Sequence, residues 1–528
     1  MAEDSAVHQR RCEVGREFQV RIGSTLAWLI AAVALPSLHA AEVTARAPEA
    51  VVVADGTTPL HRAVYAGDAE AVRGLIRSGA DVRTANLFGA TPLMLAAVTG
   101  NTEVIRLLLD AGAPADAANA EGQTALMVVA RTGSVEAAKL LLRKGAKIGA
   151  REQWGGQTAL MWAAAQGQPE MIRFLVSRGA LVNERSTVRD WQRRVTAEGR
   201  PKDMNRGGLT PLLFAAREGC IECMRALLDE GADINLADPD GTTPLVLALL
   251  NRNYNAARFL IDAGADVNLW DIYGQTPLYV AVDMNTLPVG RRVELPSMDE
   301  TTGFDVAKLL LERGANPNAQ LKLRPKYRNI PYDRYRDPLM VWGTTSLLRA
   351  AKAGDVALVK LLLEHGALAN LPNSIGVTPL MVAAGDGHIN DPTRGNTRTE
   401  DDALACYALL KAAGADVDAR TTRGLADADL KIWMAGNRTA LHAAASRGWN
   451  RLVRQLVQDG ASLDVIDTDG LSAIDYALGR YPKVFNALEP TPYPETVVLL
   501  RSLGARLENP KATFPAGTTP KIQALVPE

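Results

Sequence analysis

The sequence predicts an all-α solenoid, a stack of paired helices running from about residue 56 to residue 506 of the 528-residue chain. Two recurrences predict it. A Thr-Pro-Leu-like triplet returns at Thr58, Thr91, Thr124, Thr158, Thr210, Thr243, Thr276, Thr345, Thr378 and Thr439, with a degenerate copy at Ser472. A Gly-Ala pair follows each, beginning at Gly79, Gly112, Gly145, Gly179, Gly231, Gly264, Gly314, Gly366, Gly414, Gly460 and Gly504. In eight of the eleven units the Thr-to-Gly distance is 21 residues, and spacing that strict marks stacked modules instead of one globular core.

Residues 91–123 show how one module works. Thr91 suits the N-cap, where its hydroxyl accepts a free amide of the first turn. Pro92 follows at a position where its missing donor costs nothing. Leu93-Met94-Leu95-Ala96-Ala97 makes a short helix whose small residues admit close neighbours, and Gly100 ends it. A second helix spans about Thr102 to Ala111, with Val104, Ile105, Leu107 and Leu108 as its apolar stripe. Gly112 stops it in a left-handed conformation, and the polar run 115–122 turns toward the next Thr. One such unit cannot bury its apolar face, but a stack can.

Residues 56–82, GTTPLHRAVYAGDAEAVRGLIRSGADV, and 376–390, GVTPLMVAAGDGHIN, resemble the ankyrin repeat. The resemblance covers roughly 450 of the 528 residues. It implies an ankyrin-repeat solenoid of paired antiparallel helices with short β-hairpin fingers at one edge. One departure stands out: His follows the Leu only at His61 and His442, whereas Met94, Met127, Met161 and Met381 hold that place elsewhere. That weakens a Thr–His hydrogen bond the family often uses.

Composition excludes some partners. The chain has 58 basic and 59 acidic residues, so neither nucleic acid nor a membrane surface is indicated globally. Residues 1–41 have the layout of a signal peptide or N-terminal anchor: Arg10, Arg11, Arg16 and Arg21, an apolar stretch 24–38, then Ala40 and Ala41. An exported protein, periplasmic or secreted, is expected; the alternative is a membrane anchor through 24–38. Residues 42–55 read as a linker and 507–528, with four prolines, as a disordered tail. Cys12 falls in the leader. Cys220 and Cys223 read as structural, because Cys223 fills the apolar place of Val104 and Val356; an oxidised bridge is the alternative.

Departures from the repeat are where function is expected. Three fingers are enlarged, 181–208, 316–343 and 416–438, after the fourth, seventh and ninth units. Three further insertions, 285–303, 387–401 and 479–493, lengthen the turn between helices and read as polar surface loops without chemistry of their own. Segment 184–207 has seven basic against four acidic residues, and 319–343 six against two. Five of the seven tryptophans outside the leader, Trp154, Trp191, Trp270, Trp342 and Trp433, fall in fingers. With Arg193, Arg194, Tyr273, Tyr327, Arg328, Tyr332 and Tyr335 they form the candidate partner-binding set, since Trp, Tyr and Arg dominate binding hot spots. The competing expectation is that the long fingers need these aromatics as their own small core.

The function expected is a non-catalytic, monomeric protein-binding scaffold presenting a concave groove and basic, aromatic fingers to an acidic or apolar partner. Binding of a glycan or anionic envelope polymer is the alternative, through indole stacking and bidentate Arg. No cofactor is expected. An enzyme is not: His61 and His442 fill the repeat's own place, His365 ends a helix, and no nucleophile or metal-spaced set emerges. Asp386, His388, Asp391, Glu400, Asp401 and Asp402 crowd one insertion and read as a solvated acidic loop.

Overall fold

A computed structural model describes residues 55–190, 194–195, 202–203, 206–286, 297–323, 339, 342–386, 398–422, 424–427, 432–481 and 491–509. The leader, residues 42–54, the tail from 510, His388 and Asp391 lie outside the described residues, as do Trp191, Arg193, Tyr327, Arg328, Tyr332 and Tyr335.

The described part is a succession of helix pairs. They begin with Pro59–Tyr65 and Ala69–Arg77, Pro92–Thr99 and Thr102–Asp110, Ala125–Thr132 and Val135–Arg143, then Ala159–Ala165 and Pro169–Ser177. Next come Pro211–Glu218 and Ile221–Asp229, Pro244–Leu250 and Tyr254–Asp262, Pro277–Asn285 and Gly303–Glu312, and Ser346–Ala353 and Val356–Glu364. Pro379–Ala383 and Glu400–Ala412, Ala440–Ala445 and Asn450–Gln458, and Ala473–Ala477 and Pro494–Ser502 complete the series. Each first helix packs on its own partner and on the first helix of the next pair, without a break from end to end.

Local chemistry sets the helix ends as expected. The Thr91 hydroxyl accepts the Met94 amide at 3.3 Å, and Thr243 does the same for Val246 at 3.2 Å. Gly100, with φ 66°, closes the first helix of its unit. The second closes with Gly112 N donating to Leu109 O and Ala113 N to Leu108 O, the bond pair expected of a glycine stop. First helices are buried nearly all round; Ala96, Ala97, Ala163, Ala164, Ala215, Ala216, Ala350 and Ala351 are fully inaccessible, so small residues let layers touch. Second helices bury one stripe, such as Val104, Ile105 and Leu108. The two kinds join in one continuous core.

Strand structure is slight. Among the described residues, β1 (Arg194–Val195) pairs antiparallel with β2 (Lys202–Asp203), and β3 (Leu425–Asp427) with β4 (Ile432–Met434), each inside an enlarged finger. Among the described residues, ordinary fingers carry at most isolated bridges, such as Ala118 with Thr124.

Two expectations need correcting. The favoured unbridged Cys pair is joined: Cys220 and Cys223 form a disulfide with Cα atoms 5.2 Å apart, while Cys223 still fills its fully buried core place. The turn insertions are more than solvated loops, because their ends are built into the stack. Ser297 Oγ donates to Arg252 O, the Asp299 carboxylate accepts the Asn255 amide, and Asp386 and Arg398 are both buried.

Candidate functional site

The fingers are assembled from a turn that repeats along the stack. An Asn or Asp five residues before the capping Thr folds its carboxamide or carboxylate back onto two amides. Asn86 Oδ1 accepts from Phe88 N and Ala90 N, and Asn373 Oδ1 from Ile375 N and Val377 N, all at 2.9–3.1 Å. Asp238, Asp271 and Asp467 repeat the arrangement. Burial pushes the Asp271 carboxyl up to about 7 against the lowering effect of its two amide donors, with Asp238 and Asp240 adding to the rise.

Consecutive turns are hydrogen-bonded to one another through their backbones. Gln153 N donates to Glu121 O, Thr187 N to Gly155 O, Ile272 N to Asp240 O, Lys322 N to Tyr273 O, Ser374 N to Trp342 O, Thr422 N to Ile375 O and Thr468 N to Gly436 O, at 2.7–3.1 Å. The glycine beside each rung keeps the layers close: a Cβ on Gly376, where φ is 82°, would stand 2.4 Å from Thr422 N. A second interlayer ladder starts four residues after several of the Gly-Ala glycines. Asn183 bridges Gly231 O and Asp233 N, Asn318 bridges Gly366 O and Leu368 N, and Asn370 bridges Gly414 O and Asp416 N.

This frame positions the aromatic set. Glu152, buried, accepts from Trp154 N, Gly155 N and Gln157 N and so fixes the turn that holds Trp154 outward, 68 % exposed. Trp270, in a finger of ordinary length, is 50 % exposed, and Trp342, in the enlarged 316–343 finger, is 56 % exposed. Tyr273 is half-buried, its carbonyl accepting from both Lys322 N and Leu323 N. Lys322 lays its ammonium 3.1 Å from the centre of the Trp270 ring, so one indole face is already occupied by a cation. Arg194 and Trp433 lie on β1 and β4; the other named residues are outside the described part. By contrast Trp449 is buried and Trp162 half-buried within the stack.

Some finger cations are engaged at home. Arg185 Nη1 donates to Gly208 O at 3.0 Å, and Arg206 lies 3.9–4.0 Å from the Asp190 and Asp240 carboxylates. The acidic group of the ninth unit is likewise engaged. Asp386 pairs with Arg438, Asp402 accepts the Thr399 amide, and Glu400 and Asp401 hold Arg451. No three His, Cys, Asp or Glu side chains converge as a metal site among the described residues, and no helix there is long and apolar enough to cross a membrane.

The two histidines act as interlayer ties. His61 Nδ1 accepts the Thr58 amide at 3.2 Å and its Nε2 donates to Ala90 O at 3.1 Å, in the next layer; His442 repeats this with Thr439 and Leu471. Sequence reading missed the Asn/Asp turns and the Lys322–Trp270 stack. The return of Asn or Asp five residues before Thr91, Thr124, Thr243, Thr276, Thr378 and Ser472 was the available signal for the first.

Comparison with known proteins decides the family. The model for ankyrin repeats in three copies matches residues 29–119, 112–186, 195–271, 237–321 and 302–391, and the single ankyrin-repeat model matches 436–468. The chain belongs to the ankyrin-repeat family. A Caenorhabditis elegans homolog of transient receptor potential cation channel subfamily A member 1 is 29% identical over 135 residues, 26% of this chain and 9% of that protein. Another Caenorhabditis elegans protein, ankyrin repeat and KH domain-containing protein mask-1, is 32% identical over 145 residues, 27% of this chain and 4% of that one. The chain thus spans under a tenth of either relative. Among solved structures, the human ASB11 ankyrin repeat domain is 22% identical with a TM-score of 0.39, covering 49% of this chain and 100% of that one. The ankyrin repeat domain of Bcl-3 is 30% identical with a TM-score of 0.35, covering 43% and 94%. Ankyrin repeats suggest a protein-interaction scaffold, and the stacked helix pairs described above form a helical solenoid of that kind.

Proposed function

We propose that this ankyrin-repeat chain is a non-catalytic scaffold that binds a partner protein through its finger edge. The carrying observation is the trio Trp154, Trp270 and Trp342, each at least half exposed on turns that the interlayer ladder holds in place. Indoles combine large rigid area with a polar N–H and are enriched where proteins bind. The backbone frame behind them is already ordered, so association immobilises little more than side chains. Lys322 on Trp270 supports a partner surface that is acidic beside its apolar contact. Action outside the cytoplasm is also proposed. The Cys220–Cys223 bridge supports it, because such bridges persist where thiols are oxidised.

Co-purification tests the reading. The chain is compared with a form in which Trp154, Trp270 and Trp342 are replaced by Ala. Loss of the partner with helical content retained supports finger-borne recognition. Unchanged recovery contradicts it.

A further inference from the structure

Arg398 stands just before helix Glu400–Ala412, in the turn between the two helices of its unit, away from any finger residue named above. Its side chain is buried, with the stem laid over Gly354, where an added Cβ would meet Arg398 Cδ at 2.9 Å. Nη1 is used: it donates to Val382 O at 2.6 Å and to Lys352 O at 3.3 Å, joining two first helices. The guanidinium carbon lies 5.1 Å from the centre of the Trp449 ring, and that of Arg447 lies 5.6 Å from the same ring.

The other edge of Arg398 is unused. Nε and Nη2 are both buried and neither has a hydrogen-bond partner among the described residues. Among the described residues no carboxylate forms an ion pair with it; Asp402, whose charge acts on it, spends its carboxylate on the Thr399 cap. Burial lowers its pKa to about 10, with Arg447 acting in the same direction, so it is still a cation at neutral pH. A buried cation without a counter-charge is strongly unfavourable. Nε–H and the adjacent Nη2–H point the same way from the guanidinium plane, and that edge accepts two oxygens of one carboxylate or phosphate in parallel bonds.

We infer that the Arg398 edge, with Trp449 and Arg447 beside it, is a binding site for a small oxyanion bearing a carboxylate or phosphate group. The site is independent of the finger edge and stands or falls without it. Nη1 fixes the guanidinium to the stack, and the free edge supplies the bidentate grip. A bound oxyanion then joins the eighth, ninth and tenth units through Lys352, Val382, Arg398 and Arg447.

Thermal unfolding of the full chain tests this, in chloride buffer free of oxyanions, with inorganic phosphate or succinate added at constant ionic strength. The expected result is a saturable rise in Tm with at least one of the two; which one acts tells a phosphoryl ligand from a carboxylate ligand. Arg398→Lys keeps charge and stem but lacks the paired edge, and raises the apparent Kd at least tenfold. Arg398→Met removes the unpaired charge, melts no lower than the parent without added anion, and shows no oxyanion response. No saturable rise with either anion overturns the inference, and so does a full response surviving in Arg398→Met or Arg398→Lys.

Discussion

His442 shows how one residue couples stability to pH. Its Nδ1 accepts the Thr439 amide and its Nε2–H reaches the next layer, so only the neutral ring fits, and full burial drives its pKa down to about 4. A folded-state value below the ordinary 6.5 means that the unfolded chain takes up the proton first. The stabilisation is complete above about pH 6.5 and is lost as pH falls toward 4, by about 3 kcal/mol at most. His442→Met, the residue that sister units carry at this place, should flatten that slope in denaturant unfolding at pH 4.5 and 7. An unchanged slope would show that the ring titrates freely. Asp271 has the opposite sign. Its carboxyl, raised to about 7, favours the fold when protonated, so its contribution is lost as pH rises from about 4 through 7. Asp271→Asn, the residue used at Asn86, Asn119 and Asn373, should therefore raise stability at pH 8 by roughly 1–3 kcal/mol. Differential scanning calorimetry of the pair at pH 8 and pH 4.5 measures it, with the gain shrinking at the lower pH.

At the scale of one element, each unit depends on a cap, a stop and a turn. Thr243→Ala removes the acceptor for Val246 N and should cost about 1 kcal/mol by urea unfolding. Asn373 matters more, since its Oδ1 satisfies two amides in a buried turn and its Nδ2 donates to Leu339 O. At pH 4.5, where a carboxyl in this kind of buried turn is protonated, Asn373→Ala should lose about 2–4 kcal/mol, whereas Asn373→Asp, keeping the acceptor, loses clearly less; equal losses would contradict the turn's role. Caps and stops were legible in the sequence because Thr-Pro and Gly-Ala act within one helical turn of themselves. The interlayer ladders were harder to read, since their partners lie about 30–50 residues apart and most rungs are backbone atoms that no side chain announces. The exposed Trp154, Trp270 and Trp342 were legible because they break a pattern otherwise filled by small and polar residues. Arg398 was not. An insertion destroys the register that tells inward from outward, and one cation in a polar run looks like any other.

Among the described helices, the main contacts join each layer to its neighbours, so a change in a finger should leave distant layers unaltered. That separation makes recognition testable without unfolding the scaffold. Trp342→Ala removes a side chain more than half exposed and should shift stability by no more than about 0.5 kcal/mol while weakening partner retention tenfold or more. Binding through Lys322 and its neighbours should also weaken as salt rises, because exposed charges are screened beyond about 8 Å at physiological ionic strength. The most direct measurement places a photo-crosslinkable residue at 154, 270 or 342, and at Arg106 or Lys308 on exposed faces of second helices. The expected result is one common protein adduct from the three finger positions and none from the two helix positions. The same adduct from Arg106 or Lys308, with the fingers silent, would contradict recognition at the finger edge.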